Sequence, residues 1–183
     1  RPNVYRLMFQ RPLEDGGFLR LGRFVPVELP GVGYVDGFQG ETIRGEGWRL
    51  GVIGGFKPDR IGLDASVDEP FVTGYASVEA GRRGASYYSG TVGLLSSYYE
   101  GQMDRLALLL DQRADLGPRF SLHSTTEVDL DSGAAETRDG VRLTRQDVFA
   151  EYRLSSALGL RAGADHWERP DNQAERDLLA FED

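Results

Sequence analysis

Between Ala85 and Tyr99 the side chains sort by parity, and this alternation constrains what the chain can fold into more than any other feature of it. In an extended strand successive side chains point to opposite faces. Tyr88, Gly90, Val92, Leu94, Ser96 and Tyr98 therefore share one face, and Tyr87, Ser89, Thr91, Gly93, Leu95, Ser97 and Tyr99 share the other. The pairs Tyr87-Tyr88 and Tyr98-Tyr99 bracket the segment. A strand with an apolar middle and aromatics at each end suits a transmembrane β-barrel, whose amphipathic rings sit at the two water–lipid boundaries. A half-buried strand of a soluble sheet alternates in the same way.

The pattern recurs along the chain. Trp48, Leu50, Val52, Gly54 and Phe56 oppose Arg49, Gly51, Ile53, Gly55 and Lys57. Phe120, Leu122, Ser124, Thr126, Val128 and Leu130 oppose Ser121, His123, Thr125, Glu127 and Asp129, the cleanest separation in the sequence. Leu106, Leu108 and Leu110 oppose Arg105, Ala107, Leu109 and Asp111. Val148, Ala150, Tyr152 and Leu154 oppose Phe149, Glu151 and Arg153, and Leu158, Leu160, Ala162 and Ala164 oppose Arg161, Gly163 and Asp165. Period-2 alternation predicts strands near residues 4–9, 17–25, 33–43, 47–57, 71–81, 85–98, 102–112, 119–130, 142–153 and 157–167. The expected fold is all-β, an antiparallel up-and-down meander of about ten strands, in one domain spanning residues 1–183 with 168–183 as a loop or the start of a further element.

The links alternate in length. Arg44-Gly45-Glu46-Gly47, Gly81-Arg82-Arg83-Gly84, Ala114 to Pro118 and Leu154-Ser155-Ser156 are short; Pro58 to Pro70, Asp131 to Gly140 and whatever follows Trp167 are long. In a meander the long ones fall at one end, the asymmetry of outer-membrane barrels. Tyr99-Glu100-Gly101 is a tight link on the long side. Strands of this length also exceed the 5–6 residues usual in soluble sheets and match the roughly 9–11 that cross a bilayer at a tilt. Residues 33–43 depart from the pattern, with Asp36 on one face and Glu41 on the other.

Composition excludes several alternatives. No apolar run approaches the ~18 residues of a transmembrane helix. Cysteine is absent, which removes disulfides, zinc knuckles and thiol nucleophiles. A formal charge of −8 disfavours nucleic acid as a partner, because binding to it rests on a basic surface that neutralises phosphates.

Leu21-Gly22-Arg23-Phe24 through Pro30-Gly31-Val32-Gly33-Tyr34-Val35-Asp36-Gly37, followed by Trp48-Arg49-Leu50-Gly51 and Gly54-Gly55-Phe56-Lys57-Pro58-Asp59, resembles bacterial outer-membrane β-barrel proteins of porin-like type. The resemblance covers about 40 residues and implies a bacterial outer-membrane location, a lipid bilayer as partner and passive passage of small polar solutes. It supplies no catalytic residues. Such barrels close on a strand with a terminal aromatic, whereas this chain ends Ala180-Phe181-Glu182-Asp183 and opens at Arg1 without an initiating Met. A barrel fragment is the expectation.

With the faces assigned this way, Arg49, Lys57, Glu79, Arg105, Asp111, Glu127, Asp129, Glu151, Arg153, Arg161 and Asp165 line the lumen, and Trp48, Phe56, Tyr88, Tyr98 and Tyr152 mark the aromatic boundaries. Tyr88 and Tyr98 should face out, Thr91 and Ser97 in. The lumen charges either pair and plug a small barrel or line a water-filled path in a wide one.

No catalytic residue, metal or cofactor is expected, and no enzyme activity. His123 and His166 sit in no nucleophile motif. His123, Glu127 and Asp129 share a face but read as polar lining. Asp129-Leu130-Asp131-Ser132-Gly133 with Glu136 lacks the EF-hand spacing. Gly31-Val32-Gly33 and the Gly51 to Gly55 cluster open no phosphate-binding helix and point to close packing or lumen clearance. Two other readings remain: a soluble or secreted β-sheet module binding a ligand or partner through long loops, and a barrel scaffold with no open pore.

Overall fold

The computed structural model describes residues 6–59, 64–82, 84–131 and 140–169. These form β1 (Leu7–Pro12), β2 (Phe18–Phe24), β3 (Val35–Ile43), β4 (Trp48–Phe56), β5 (Pro70–Gly81), β6 (Ser86–Tyr99), β7 (Gln102–Leu116), β8 (Phe120–Asp131), β9 (Arg142–Arg153) and β10 (Gly159–Trp167). All lie in one antiparallel sheet in sequence order. The meander is as the alternation predicts. The sheet is open: among the described residues β1 pairs only with β2 and β10 only with β9, so the ten strands do not close on themselves as a barrel would.

Two boundaries differ from the sequence expectation by three residues or more. The first strand continues to Pro12, three residues past the expected end at 9, because Gln10 to Pro12 find partners in Arg20 to Phe18; residues 4 and 5 of that expectation lie outside the described residues. β7 continues through Ala114 to Leu116, leaving a turn at residues 117–119 in place of the link read at 114–118. The tight link after Tyr99 is a two-residue turn. Glu100 has φ 49° and Gly101 φ 81°, the pair of positive angles that a type I′ hairpin requires.

The register sets two faces. Leu94, Leu108 and Val92, Leu110 are cross-strand partners, as are Leu122, Ala150 and Ser124, Val148, so the apolar sides of neighbouring strands join into one surface. That surface is bare: Leu94 is 47% exposed and Trp48 53%. The opposite face is covered across β2 to β7 and open along β10. It carries Phe24, Val35, Ile53, Phe71, Tyr75, Leu95 and Leu109, packed with Leu29 and Val32.

Leu29 and Val32 belong to the link between β2 and β3. The segment 25–34, with a single 3-10 turn at Pro30–Val32, folds across the covered face. A Cβ on Gly93 of β6 would lie 2.5 Å from Leu29 Cδ1, and one on Gly31 3.7 Å from Glu127 Oε2 of β8. The bare backbone at position 93 leaves room for Leu29 to seat against the sheet. The Gly51 to Gly55 cluster also serves close packing: the Tyr75 ring lies over Gly51 and the Phe38 ring over Gly54.

Leu29 is 1% exposed, so Leu29→Ala should lower unfolding stability by about 2–5 kcal/mol, the range for emptying a packed leucine site. A denaturation curve equal to that of the parent would show that the segment does not dock. Asp15, in the β1–β2 turn, accepts hydrogen bonds from the Thr42 hydroxyl and from the Gly17 amide at 3.0 Å. These bonds, Thr42 first, hold its carboxyl below the usual 3.8. A depressed carboxylate adds stability above the unfolded value and loses it as pH falls through the folded one. NMR titration of Asp15 should give a midpoint below 3.8, rising in Thr42→Val.

Candidate polar site on the covered face

Polar side chains on the covered face gather into two networks beside the folded-in segment. In the first, Arg20 Nη1 donates to Gln39 Oε1 at 2.7 Å. Gln39 Nε2 donates to Glu28 Oε2 at 2.9 Å and to the Tyr75 hydroxyl at 2.8 Å. The Tyr75 hydroxyl donates to Glu41 Oε2 at 2.9 Å. Arg49 completes it, 3.4 Å from Glu41 and 3.6 Å from Glu79. Glu28 comes from the 25–34 segment, so the network ties that segment to β2, β3 and β5.

The departure of residues 33–43 from simple alternation is resolved here. Glu41 faces this network. Asp36 stands on the bare face, near the start of β3, where Arg23 donates to it in a two-pronged pair at 2.6 and 2.5 Å.

The second network centres on Arg105, 6% exposed. Its Nε donates to Asp129 Oδ1 at 2.7 Å, and its Nη2 bonds Glu127 and lies 3.4 Å from Thr144 Oγ1. Three successive strands slip register around this cluster, at Asp104 in β7, Leu130 in β8 and Thr144 in β9. A β-bulge re-aims side chains that strict alternation would send to opposite faces. Asp104 and Arg105 are consequently both buried, and Thr144 joins the cluster at 1% exposure. Asp104, Thr144, Glu28 and Gln39 are absent from the sequence expectation, which rests on strict alternation. The adjacent charges Asp104-Arg105 are the signal in the sequence that one strand must break step.

The residues read as lumen-lining all stand, by register, on the covered face or at its ends. Lys57 meets Glu69 at 2.7 Å. Asp111 accepts from Thr125 at 2.8 Å and lies 3.2 Å from His123. Glu151 lies 3.1 Å from Arg161 and 3.8 Å from Arg153. Asp165 borders a cavity of about 340 Å³ with His123, Arg145 and Asp147. His123 therefore stands with Asp111, while Glu127 and Asp129 serve Arg105. No metal-holding group of three occurs among the described residues. Asp129 of the calcium-like stretch is engaged by Arg105, and residues 132–139 lie outside the described residues.

The aromatic candidates fall at two rims of the bare face. Trp48, Tyr88 and Tyr152 lie at the short-turn end and Tyr98 at the other, all exposed; Phe56 is half-buried. Ser97 is fully buried and Thr91 half-buried on the covered face. No family model matches the chain, and no curated protein or solved structure matches it either.

A buried guanidinium between two carboxylates resists loss of one partner more than loss of all, because the survivors keep their desolvation cost without compensation. Arg105→Met should destabilise by about 3–5 kcal/mol. Adding Glu127→Gln and Asp129→Asn should restore most of that in equilibrium unfolding. If the triple variant is no better than the single, the network is not the source of the loss.

Proposed function

We propose that this chain forms part of the wall of an outer-membrane β-barrel that passes small polar solutes, its passage narrowed by the segment 25–34. The observation that carries the reading is the distribution of charge on the bare face. By register, the charged residues there among the described strands are Arg11, Arg23, Asp36 and Asp131, each within two residues of a strand end. A charge on the lipid side at mid-membrane costs roughly 2–4 kcal/mol and almost nothing at the interface. A face washed by water has no reason to keep its whole middle free of charge.

Three neutral polar side chains near the middle of that face, Ser124, Thr126 and Gln146, bond one another. Thr126 donates to Gln146 Oε1 at 2.9 Å, and Gln146 Nε2 donates to Ser124 Oγ at 3.0 Å. Such internal pairing suits a medium that offers no hydrogen bonds. The rims of Trp48, Tyr88 and Tyr152 against Tyr98 fit the two interfacial belts. The covered face supports a narrow route: its buried charges are paired, and Leu29 with Val32 fills one side.

An arginine placed mid-face separates this reading from a soluble β-sheet module. Leu94→Arg should cost about 2–4 kcal/mol when unfolding is followed from lipid vesicles. On a water-exposed face the same change lies within about 0.5 kcal/mol. A protein that stays monodisperse without detergent and tolerates Leu94→Arg would sink the membrane reading. Planar-bilayer conductance separates passage from scaffold: a small current that rises in Leu29→Ala is expected, and a reconstituted protein without current in either form is no pore.

A further inference from the structure

The short-turn end of β7–β9 holds a cavity of about 280 Å³ that none of the networks above uses. Arg113, Asp115, Arg119, Ser121, Glu151 and Arg153 line it. We propose that this cavity is a binding site for a compact oxyanion, the phosphate or carboxylate end of a small solute.

Three arginines line one small space. They are loosely held. Arg113 lies 3.3 Å from Asp115 with more than half of its side chain exposed, and Arg153 lies 3.8 Å from Glu151 and is equally open. Arg119 makes no ion pair among the described residues and is exposed. Surface pairs of this geometry contribute about 0–1 kcal/mol, so an incoming anion displaces little. Guanidinium forks also match phosphate and carboxylate oxygens in pairs.

The two acidic neighbours do not cancel this charge. Glu151 takes its closer bond from Arg161 on β10, 3.1 Å away on its other side. With Arg161 counted, four cations face two carboxylates. Ser121, beside Asp115 and Glu151 in the same cross-strand row, adds a hydroxyl donor. Gly84 and Gly117 border the cavity, and a Cβ on either would meet nothing within 4 Å.

This site stands whether or not the chain spans a membrane. Calorimetric titration of the folded full chain, in detergent or in buffer as its solubility requires, tests it with inorganic phosphate and, separately, succinate. Binding in about the millimolar range that weakens with added salt is expected for at least one of the two. Arg113→Gln with Arg153→Gln should weaken it tenfold or more, while Arg44→Gln on a neighbouring short turn leaves it unchanged. Arg119→Gln, on an exposed turn, should weaken it several-fold and keeps the test decisive if the double variant misfolds. Phosphate binding alone assigns the site to phosphorylated solutes, and succinate binding alone to carboxylates. No binding of either anion, or affinity unaltered by Arg119→Gln and the double variant, overturns the proposal.

Discussion

A broad sheet has two faces, and everything else in this structure depends on how one of them is covered. The cover is the chain's own segment 25–34, which leaves β2, crosses the inner side of β3 to β7 and brings Gly31 to Glu127 on β8. Two kinds of force hold it. Leu29 and Val32 remove apolar surface from water against Ile53, Leu95 and Leu109, the larger and less directional term. Glu28, bonded to Gln39, fixes where along the sheet the segment sits.

Burying charges on that face has a consequence for the strands themselves. A guanidinium away from water must meet carboxylates at good geometry or its desolvation is uncompensated. Strict alternation from β7 to β9 does not bring Asp104, Arg105, Glu127, Asp129 and Thr144 to one place. Three register slips in adjacent strands do. The bulges and the Arg105 cluster are thus one feature, since the ladder is interrupted where side chains must be re-aimed.

Much of the candidate site was legible residue by residue, and its organisation was not. Parity placed Arg49, Arg105, Glu127, Asp129 and Glu151 on one face, which needs only the two-residue repeat of a strand. It could not show that Arg105 takes both Glu127 and Asp129 while His123 turns to Asp111. Those choices depend on distances across neighbouring strands and on bulges that a count of residues does not register. Gln39 and Glu28 carry no such signal for a related reason: a neutral amide inside a strand and a glutamate in a link have no period of their own.

The sequence by itself determined the ten-stranded meander, the two faces and the alternation of short and long links, because side-chain direction in a strand is a local property that repeats every two residues. Only the tertiary structure decided which face is covered and by what, that the described sheet stays open between β1 and β10, and that the buried inner charges are paired. These are relations between residues far apart in the chain, and they follow from how apolar surface and desolvated charge are both satisfied in one packed arrangement.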